Sequence, residues 1–259
     1  MINLTELELA SKNWEKAKPF SHIVVNNFFD IELAKKLEKE FPNYNDTTWD
    51  NYNNPLEVKK ICTNWKMFPS LTYQVFSYLN SEKFVKKLSN SILKSSELIS
   101  DSGLHGGGWH IHGRGGKLNT HLDYSLHPKL KLKQKINLII FLNSEWQHNW
   151  GGHLGFWDNK SNKQPGELCK EIEPTFNKAV IFDTTKNSWH GLPEPINCPE
   201  NQFRKSMAAY YLTVPPKNTD KRAKALFSPT ESQRGDNKIL ELIKKRSDIN
   251  SSSSVYEEE

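Results

Sequence analysis

A chain of 259 residues with 36% hydrophobic and 11% aromatic content can bury one sizeable core, and reads as one catalytic domain with helical additions rather than as two domains. A net charge of +5 and a mean hydropathy of -0.71 describe a polar, lysine-rich surface, and no arginine-rich stripe with interleaved aromatics marks a nucleic-acid footprint. No apolar run approaches the ~18 residues a membrane helix needs, no secretory leader is evident, and Cys62, Cys169 and Cys198 lack CxxC spacing, so reduced thiols in a soluble cytoplasmic protein are expected rather than a disulfide frame or a zinc site.

In chain order, Phe20 to Phe29 (FSHIVVNNFF) reads as a strand entering a helix. Asp30 can cap that helix, which Leu33, Leu37 and Phe41 carry to about Phe41, with Pro42 just beyond. From Asn43 to Pro55 the composition turns to Asn, Asp and aromatics, which predicts a loop. Trp49 to Tyr52 could form a substrate lid there, although a plain loop is the simpler reading. Leu71 to Leu79 and Glu82 to Leu98 read as two more helices, the second apolar at Phe84, Val85, Leu88, Ile92 and Leu93. Such helices would pack outside a barrel and shield one sheet. Gly106-Gly107-Gly108 and Gly115-Gly116 lack the following helix and Lys-Ser/Thr ending of a phosphate-binding loop, so they read as turns.

The chemistry gathers in WHIHGRGGKLNTHLDY, Trp109 to Tyr124. In an extended segment side chains alternate between faces, so His121 and Asp123 can grip one ion together, while Trp109 and His112 face opposite sides. The best candidate for a third ligand lies in AVIFDTTKNSWHGLPEP, where the apolar run Ala179 to Phe182 reads as a buried strand and His190 follows in a polar turn. Two imidazoles and one carboxylate with open positions opposite suit non-haem Fe(II). Arg204 and Ser206 share a face at the start of another strand, where a guanidinium and a hydroxyl can hold a carboxylate. An HxD triplet alone is weak, and its weight comes from agreement of order, spacing and strand context. His127, ahead of Pro128, and His148 and His153, flanking Gly151-Gly152, are the competing histidines; His153 could line the pocket.

These residues resemble the Fe(II)- and 2-oxoglutarate-dependent dioxygenase superfamily, in its prolyl 4-hydroxylase-like branch. The resemblance runs from about Gly108 to Val214: HLD, the apolar strand INLIIFLN (Ile136 to Asn143), the turn GGHL (Gly151 to Leu154), the strand KAVIF (Lys178 to Phe182), His190 and the Arg204-Lys205-Ser206 run. It implies a mainly β fold with flanking α: a double-stranded β-helix (jelly-roll) core with N-terminal helices packed on one sheet. Residues 1–100 would be a support region of the same domain, 101–215 the catalytic core, 216–246 a connector and helix, and 247–259 a disordered tail. The last helix, about Asp236 to Arg246, has Ile239, Leu240, Leu242 and Ile243 to lay against the body, with a homodimer contact as the alternative.

The resemblance further implies that His121, Asp123 and His190 hold Fe(II), leaving positions for 2-oxoglutarate and O2, while Arg204 assisted by Ser206 pairs with the far carboxylate of 2-oxoglutarate. His112 stands where many relatives carry a tyrosine that touches this cosubstrate; on the inner face it could hydrogen-bond 2-oxoglutarate or substrate, with an ordinary buried histidine as the alternative. The implied reaction hydroxylates an unactivated C–H bond and releases succinate and CO2. Asp123 argues for hydroxylation, since halogenating relatives have a small residue there. The substrate class stays open between a peptidyl-prolyl residue and a small molecule, for which Trp109, Tyr124, Trp146, Trp150, Trp157 and Trp189 would serve as aromatic contacts. Two other classes compete: a non-redox, metal-bearing jelly-roll binding module, in which Arg204 is a structural ion-pair partner, and a zinc hydrolase, for which no HExxH or comparable base is found.

Overall fold

In the computed structural model, which describes residues 1–93, 97–161, 164–184 and 187–248, the N-terminal third supplies mostly helices and the remainder mostly strands. Helix α1 (Leu4–Ser11), which the sequence reading did not assign, starts where the Asn3 side chain accepts from the Glu6 amide, and it buries Leu7. Strand β1 (His22–Val25) follows. Helix α2 (Ile31–Lys39) begins at Asp30, whose carboxylate accepts from the Glu32 and Leu33 amides as predicted.

The expected loop over 43–55 is a loop only in part. Its second half is strand β2 (Asp50–Asn54), antiparallel to β3 (Glu57–Cys62). Asn and Asp are poor strand formers, but an edge strand needs only one partner, and β3 supplies it. Helices α3 (Ser70–Leu79) and α4 (Glu82–Ile92) come next. The second is shorter than the predicted 82–98: Leu93 already has extended backbone (φ -120°, ψ 133°), and residues 94–96 lie outside the described residues.

The strands that follow are β4 (Ile99–Ser100), β5 (Gly108–His112), β6 (Lys117–Leu118), β7 (His121–Leu122), β8 (Lys133–Phe141), β9 (Leu154–Ser161), β10 (Gln164–Ile172), β11 (Lys178–Asp183), β12 (His190–Gly191), β13 (Arg204–Thr213) and β14 (Leu226–Phe227). They form two antiparallel sheets. The larger runs β1-β11-β8-β13-β5-β3-β2, with β4 beside β13 and β6 beside β3; the smaller runs β10-β9-β12-β7-β14. This is a double-stranded β-helix whose sheets face each other without closing into a barrel.

Strand alternation divides the large sheet into two working faces. Trp109, Ile111, Leu138, Ile140, Ile181, Met207, Ala209 and Tyr211 point outward and share one core with Leu7, Leu37, Val75, Phe76, Phe84 and Leu88 of the helices. Each such apolar side chain removed from water contributes roughly 1.5–3 kcal/mol. Tyr211 fixes the layer by donating its hydroxyl to the Leu79 carbonyl at 3.1 Å. The inward residues Phe141, Val180 and Phe182 meet Leu154, Phe156 and Ile172 of the small sheet. That inner face carries the polar groups considered below.

Helix α5 (Asn237–Ser247), close to the expected 236–246, is capped by Asp236 and basic at its C-terminus, but buries none of its residues. Its apolar side chains are only half covered, Leu240 being 39% exposed, because the helix touches little beyond β14. Residues 249–259, most of the predicted tail, lie outside the described residues. Among the described residues no helix is long and apolar enough to cross a membrane.

Candidate active site

The short strands β7 and β12 pair with His190 opposite His121 in register, which brings together two histidines far apart in the chain. Asp123 follows β7 by one residue. His121, Asp123 and His190 are all buried, and one ligand atom from each lies within 4.8 Å of the others. Asp123 Oδ1 is 3.6 Å from His121 Nε2 and 3.7 Å from His190 Nε2.

The backbone decides which ring nitrogens carry protons. His121 Nδ1 lies 2.9 Å from the Asn119 carbonyl, and His190 Nδ1 2.9 Å from the Ser188 carbonyl. A carbonyl only accepts, so both Nδ1 atoms must donate, and a neutral ring then has its lone pair on Nε2. The second carboxylate oxygen, Asp123 Oδ2, accepts from Gln134 Nε2 at 3.2 Å and Asn137 Nδ2 at 3.0 Å. Oδ1 is thereby left to point at the imidazoles. Two lone pairs and one carboxylate oxygen converging in a buried place is an arrangement that a divalent cation satisfies.

Protonation favours the same state. Burial would raise the Asp123 carboxyl, but His190, His121 and the Asn137 hydrogen bond outweigh it and hold the group below the usual carboxylate range. Burial, reinforced by His121, pulls His190 down to about 4 despite Asp123. Near neutral pH the set is one anion and, at His190, a neutral ring.

Arg204 and Ser206 lie on the inner face of β13, opposite His112 and His110 of β5 respectively. The Arg204 guanidinium is buried. Its Nε donates to the Gly152 carbonyl at 2.6 Å, and its carbon lies 4.8 Å from the Phe141 ring centre. No ion pair engages it among the described residues, and burial alone pulls its pKa down to about 9. Gly152 has φ +70°, and a Cβ there would meet Arg204 Cδ at 3.0 Å, so this turn admits only glycine beside the guanidinium. His112 is buried with neither ring nitrogen hydrogen-bonded. Burial, then the charge of Arg204, holds its pKa well below the ordinary value, so the ring is neutral.

A cavity of about 530 Å³ opens onto His121 and Asp123 and is walled by Tyr52, Lys59, His110, Tyr124, Phe227 and Arg246, among others. Of the aromatic residues expected to meet substrate, Tyr124 lines it; Trp109, Trp146, Trp150, Trp157 and Trp189 do not. Trp109 instead stacks in the helix-side core against Phe41, Trp49 and Phe68. Trp49 to Tyr52 is no free lid, since Trp49 is buried and Tyr52 belongs to β2.

Several groups at the site are absent from the sequence reading. Asn137 sits inside the run Ile136 to Asn143 read only as an apolar strand, where an inward Asn is a signal, and Gln134 lies in the part of β8 that precedes this run. Glu57 and Lys59 alternate onto the inner face of β3 and pair at 3.0 Å, and Arg246 of α5 reaches the same carboxylate at 2.5 Å. Arg222, read as part of a charged connector, donates to the carbonyls of Leu122 and Asp123 and so holds the backbone of the ligand segment.

Residues 107–212 match the family model described as the 2OG-Fe(II) oxygenase superfamily. Among curated relatives, a prolyl 3-hydroxylase, OGFOD1, of Mus musculus is 30% identical over 87 residues, 32% of this chain and 16% of the relative. Its Xenopus laevis counterpart is 28% identical over 91 residues, 34% and 17% respectively. The match therefore spans about a sixth of the length of these relatives. Among solved structures, a Pseudomonas putida prolyl-4-hydroxylase superposes with a TM-score of 0.58 at 13% identity, over 81% of this chain and 100% of that one. A Trichoplax adhaerens prolyl hydroxylase in complex with a hypoxia inducible factor peptide fragment gives 0.55 at 15% identity, over 81% and 91%. At these identities the structural likeness concerns the fold.

Proposed function

We propose, from the membership of residues 107–212 in the 2OG-Fe(II) oxygenase superfamily, that this chain is an Fe(II)- and 2-oxoglutarate-dependent hydroxylase of an unactivated C–H bond, releasing succinate and CO2. The observation that carries the reading is the convergence of His121 Nε2, Asp123 Oδ1 and His190 Nε2, with both imidazole tautomers set by backbone carbonyls. These three atoms would hold Fe(II) on one face. Bound iron supplies the activation of dioxygen that is coupled to oxidative decarboxylation of 2-oxoglutarate.

The protein's own part is positioning and charge. Arg204, with Ser206, would bind the far carboxylate of 2-oxoglutarate, and the absence of any ion pair to its guanidinium among the described residues supports that role. Neutral His112, across from Arg204 and unbonded, would donate one N–H to the same anion. Gln134 and Asn137 keep Asp123 turned toward the metal, and Arg222 keeps its backbone in place. Phe141, Phe156 and Phe182 keep water from the inter-sheet space.

A non-redox, metal-bearing binding module gives the buried guanidinium of Arg204 nothing to bind, and is not favoured. The substrate would enter the cleft beside Tyr52, Lys59 and Tyr124. Its volume lies in the range that encloses a small molecule or one inserted side chain, which fits a metabolite or a prolyl residue of a peptide. The peptide arm draws support from the names of the relatives above. Three free cysteines support a reducing compartment such as the cytoplasm.

Anaerobic addition of Fe(II) and 2-oxoglutarate should produce a weak visible charge-transfer band that Asp123→Ala abolishes. In air the wild-type chain should convert 2-oxoglutarate to succinate. A protein that binds Fe(II) yet gives neither signal is not this enzyme.

A further inference from the structure

Away from the cleft, a second set of metal-binding side chains gathers beside the small sheet. His148 lies in the short turn His148–Trp150, His153 directly after Gly151-Gly152, and Glu173 just past β10. One donor atom from each lies within 4.8 Å of the other two, the bound that the central triad also meets. His148 Nδ1 is 3.4 Å from Glu173 Oε1, and the two imidazole centres are 4.8 Å apart. Chain geometry brings them together: Gly151 and Gly152 both have φ +70°, which folds the segment back so that residues five apart meet.

The state of His153 adds an independent sign. Its Nδ1 is 3.3 Å from Glu171 Oε2, while its Nε2 is buried without a hydrogen-bond partner. A carboxylate that receives Nδ1–H fixes the tautomer with the lone pair on Nε2 and makes that nitrogen a better donor, as in carboxylate–histidine–metal arrangements. We propose that His148, His153 and Glu173 form a second, non-catalytic site for a divalent transition-metal ion of the zinc class, with Glu171 orienting His153. Two imidazoles and one carboxylate suit zinc or cobalt, with a fourth position open to water; they do not suit calcium or magnesium, which take oxygen donors. His148 is largely exposed, so the ion would enter from solvent.

The location ties this site to the cleft. Gly152, next to His153, accepts the Arg204 Nε–H at 2.6 Å, and the neighbouring Gly151 carbonyl accepts from Trp146 Nε1 at 2.9 Å. An ion on His153 would stiffen the turn on which Arg204 leans.

The test uses Zn2+ alone with the full chain, by equilibrium dialysis and elemental analysis. Wild type should hold two ions per chain, His148→Ala one, His190→Ala one, and His148→Ala with His190→Ala none. Exposure of His148 makes its truncation harmless to folding, which circular dichroism checks, and Glu173→Gln should reproduce the loss. Zinc retained equally by His190→Ala and by the double variant overturns the proposal, as does a His190→Ala chain that binds none. If instead the central triad holds no metal, wild type binds one ion and His148→Ala none, so the two readings fail separately.

Discussion

Arg204 and His112 stand opposite each other in register across β13 and β5, both buried on the inner face of the large sheet. Among the described residues the guanidinium has no ion pair, and neither imidazole nitrogen has a hydrogen-bond partner. Burying a charge without a counter-ion, or an imidazole without a hydrogen-bond partner, costs free energy. Under the proposed reading the far carboxylate of 2-oxoglutarate would supply both.

Replacing Arg204 should therefore separate cosubstrate binding from metal binding. Removing one partner of a buried, hydrogen-bonded charge pair costs about 2–5 kcal/mol, which is ~30-fold or more in affinity. Arg204→Ala should raise the 2-oxoglutarate concentration needed for the charge-transfer band by at least that factor, with Fe(II) still bound. An unchanged titration removes Arg204 from the role.

Asn137 tests the support behind the metal ligands. It donates to Asp123 Oδ2 at 3.0 Å, and loss of such partners typically lowers metal affinity about 10–100-fold. Asn137→Ala should weaken Fe(II) binding within that range while 2-oxoglutarate affinity at saturating iron stays near wild type. Equal iron affinity in the two proteins would show that Gln134 alone suffices.

Gly108 opens β5 with φ +84°, and a Cβ there would run into the carbonyl oxygen of Cys62 on β3. Gly108→Ala must break the pairing that carries Lys59 and Glu57 to the cleft, at a cost of about 4 kcal/mol or more. Gly115 has φ +74° and open space around it, so Gly115→Ala should cost only the backbone strain, about 1–2 kcal/mol. Urea unfolding of the two variants compares them; equal losses would mean that backbone conformation, and not the close approach of β5 to β3, sets the requirement.

The contrast between those glycines reflects what a linear sequence reveals. His121, Asp123 and Arg204 could be picked out because strand alternation is local, and the apolar runs of β8 and β11 are long enough to be read directly. His190 needed the family resemblance as well as a strand pattern. The hairpin of β2 and β3 was hidden because Asn-rich strands at an edge look like loops, and with it went Glu57 and Lys59, while Tyr52 entered only as part of a possible lid. Arg222 and Arg246 were hidden for another reason: the partners that tie them to the site lie far away in the chain, at Asp123, 99 residues off, and at Glu57 across the fold, and their local sequence does not point to those partners. Helix α5 was legible as a helix, but its weak docking was not, since amphipathic spacing does not tell how much of an apolar face finds a partner.

That weak docking makes Glu57 the last point at which the fold can be tested. The carboxylate is buried between Lys59 and Arg246, and Arg246 also lies over the Phe227 ring at 5.3 Å. Since α5 buries none of its residues, this junction should carry much of its attachment. Burial opposes ionisation of Glu57, but Lys59 and Arg246 overcome it and its pKa is lowered from the ordinary value. A depressed carboxyl contributes stability that is complete above its unfolded pKa and is lost as pH falls through the folded one. Glu57→Gln, which leaves two cations facing each other, should lower stability by about 3 kcal/mol near neutral pH. The gap to wild type should hold down to about pH 5 and narrow in more acid solution. In parallel, the amides of residues 237–247 should exchange faster in Arg246→Ala while those of β8 and β13 are unchanged. A stability gap that is flat into acid, or an α5 whose exchange ignores Arg246, would assign the helix to its contacts with β14 instead.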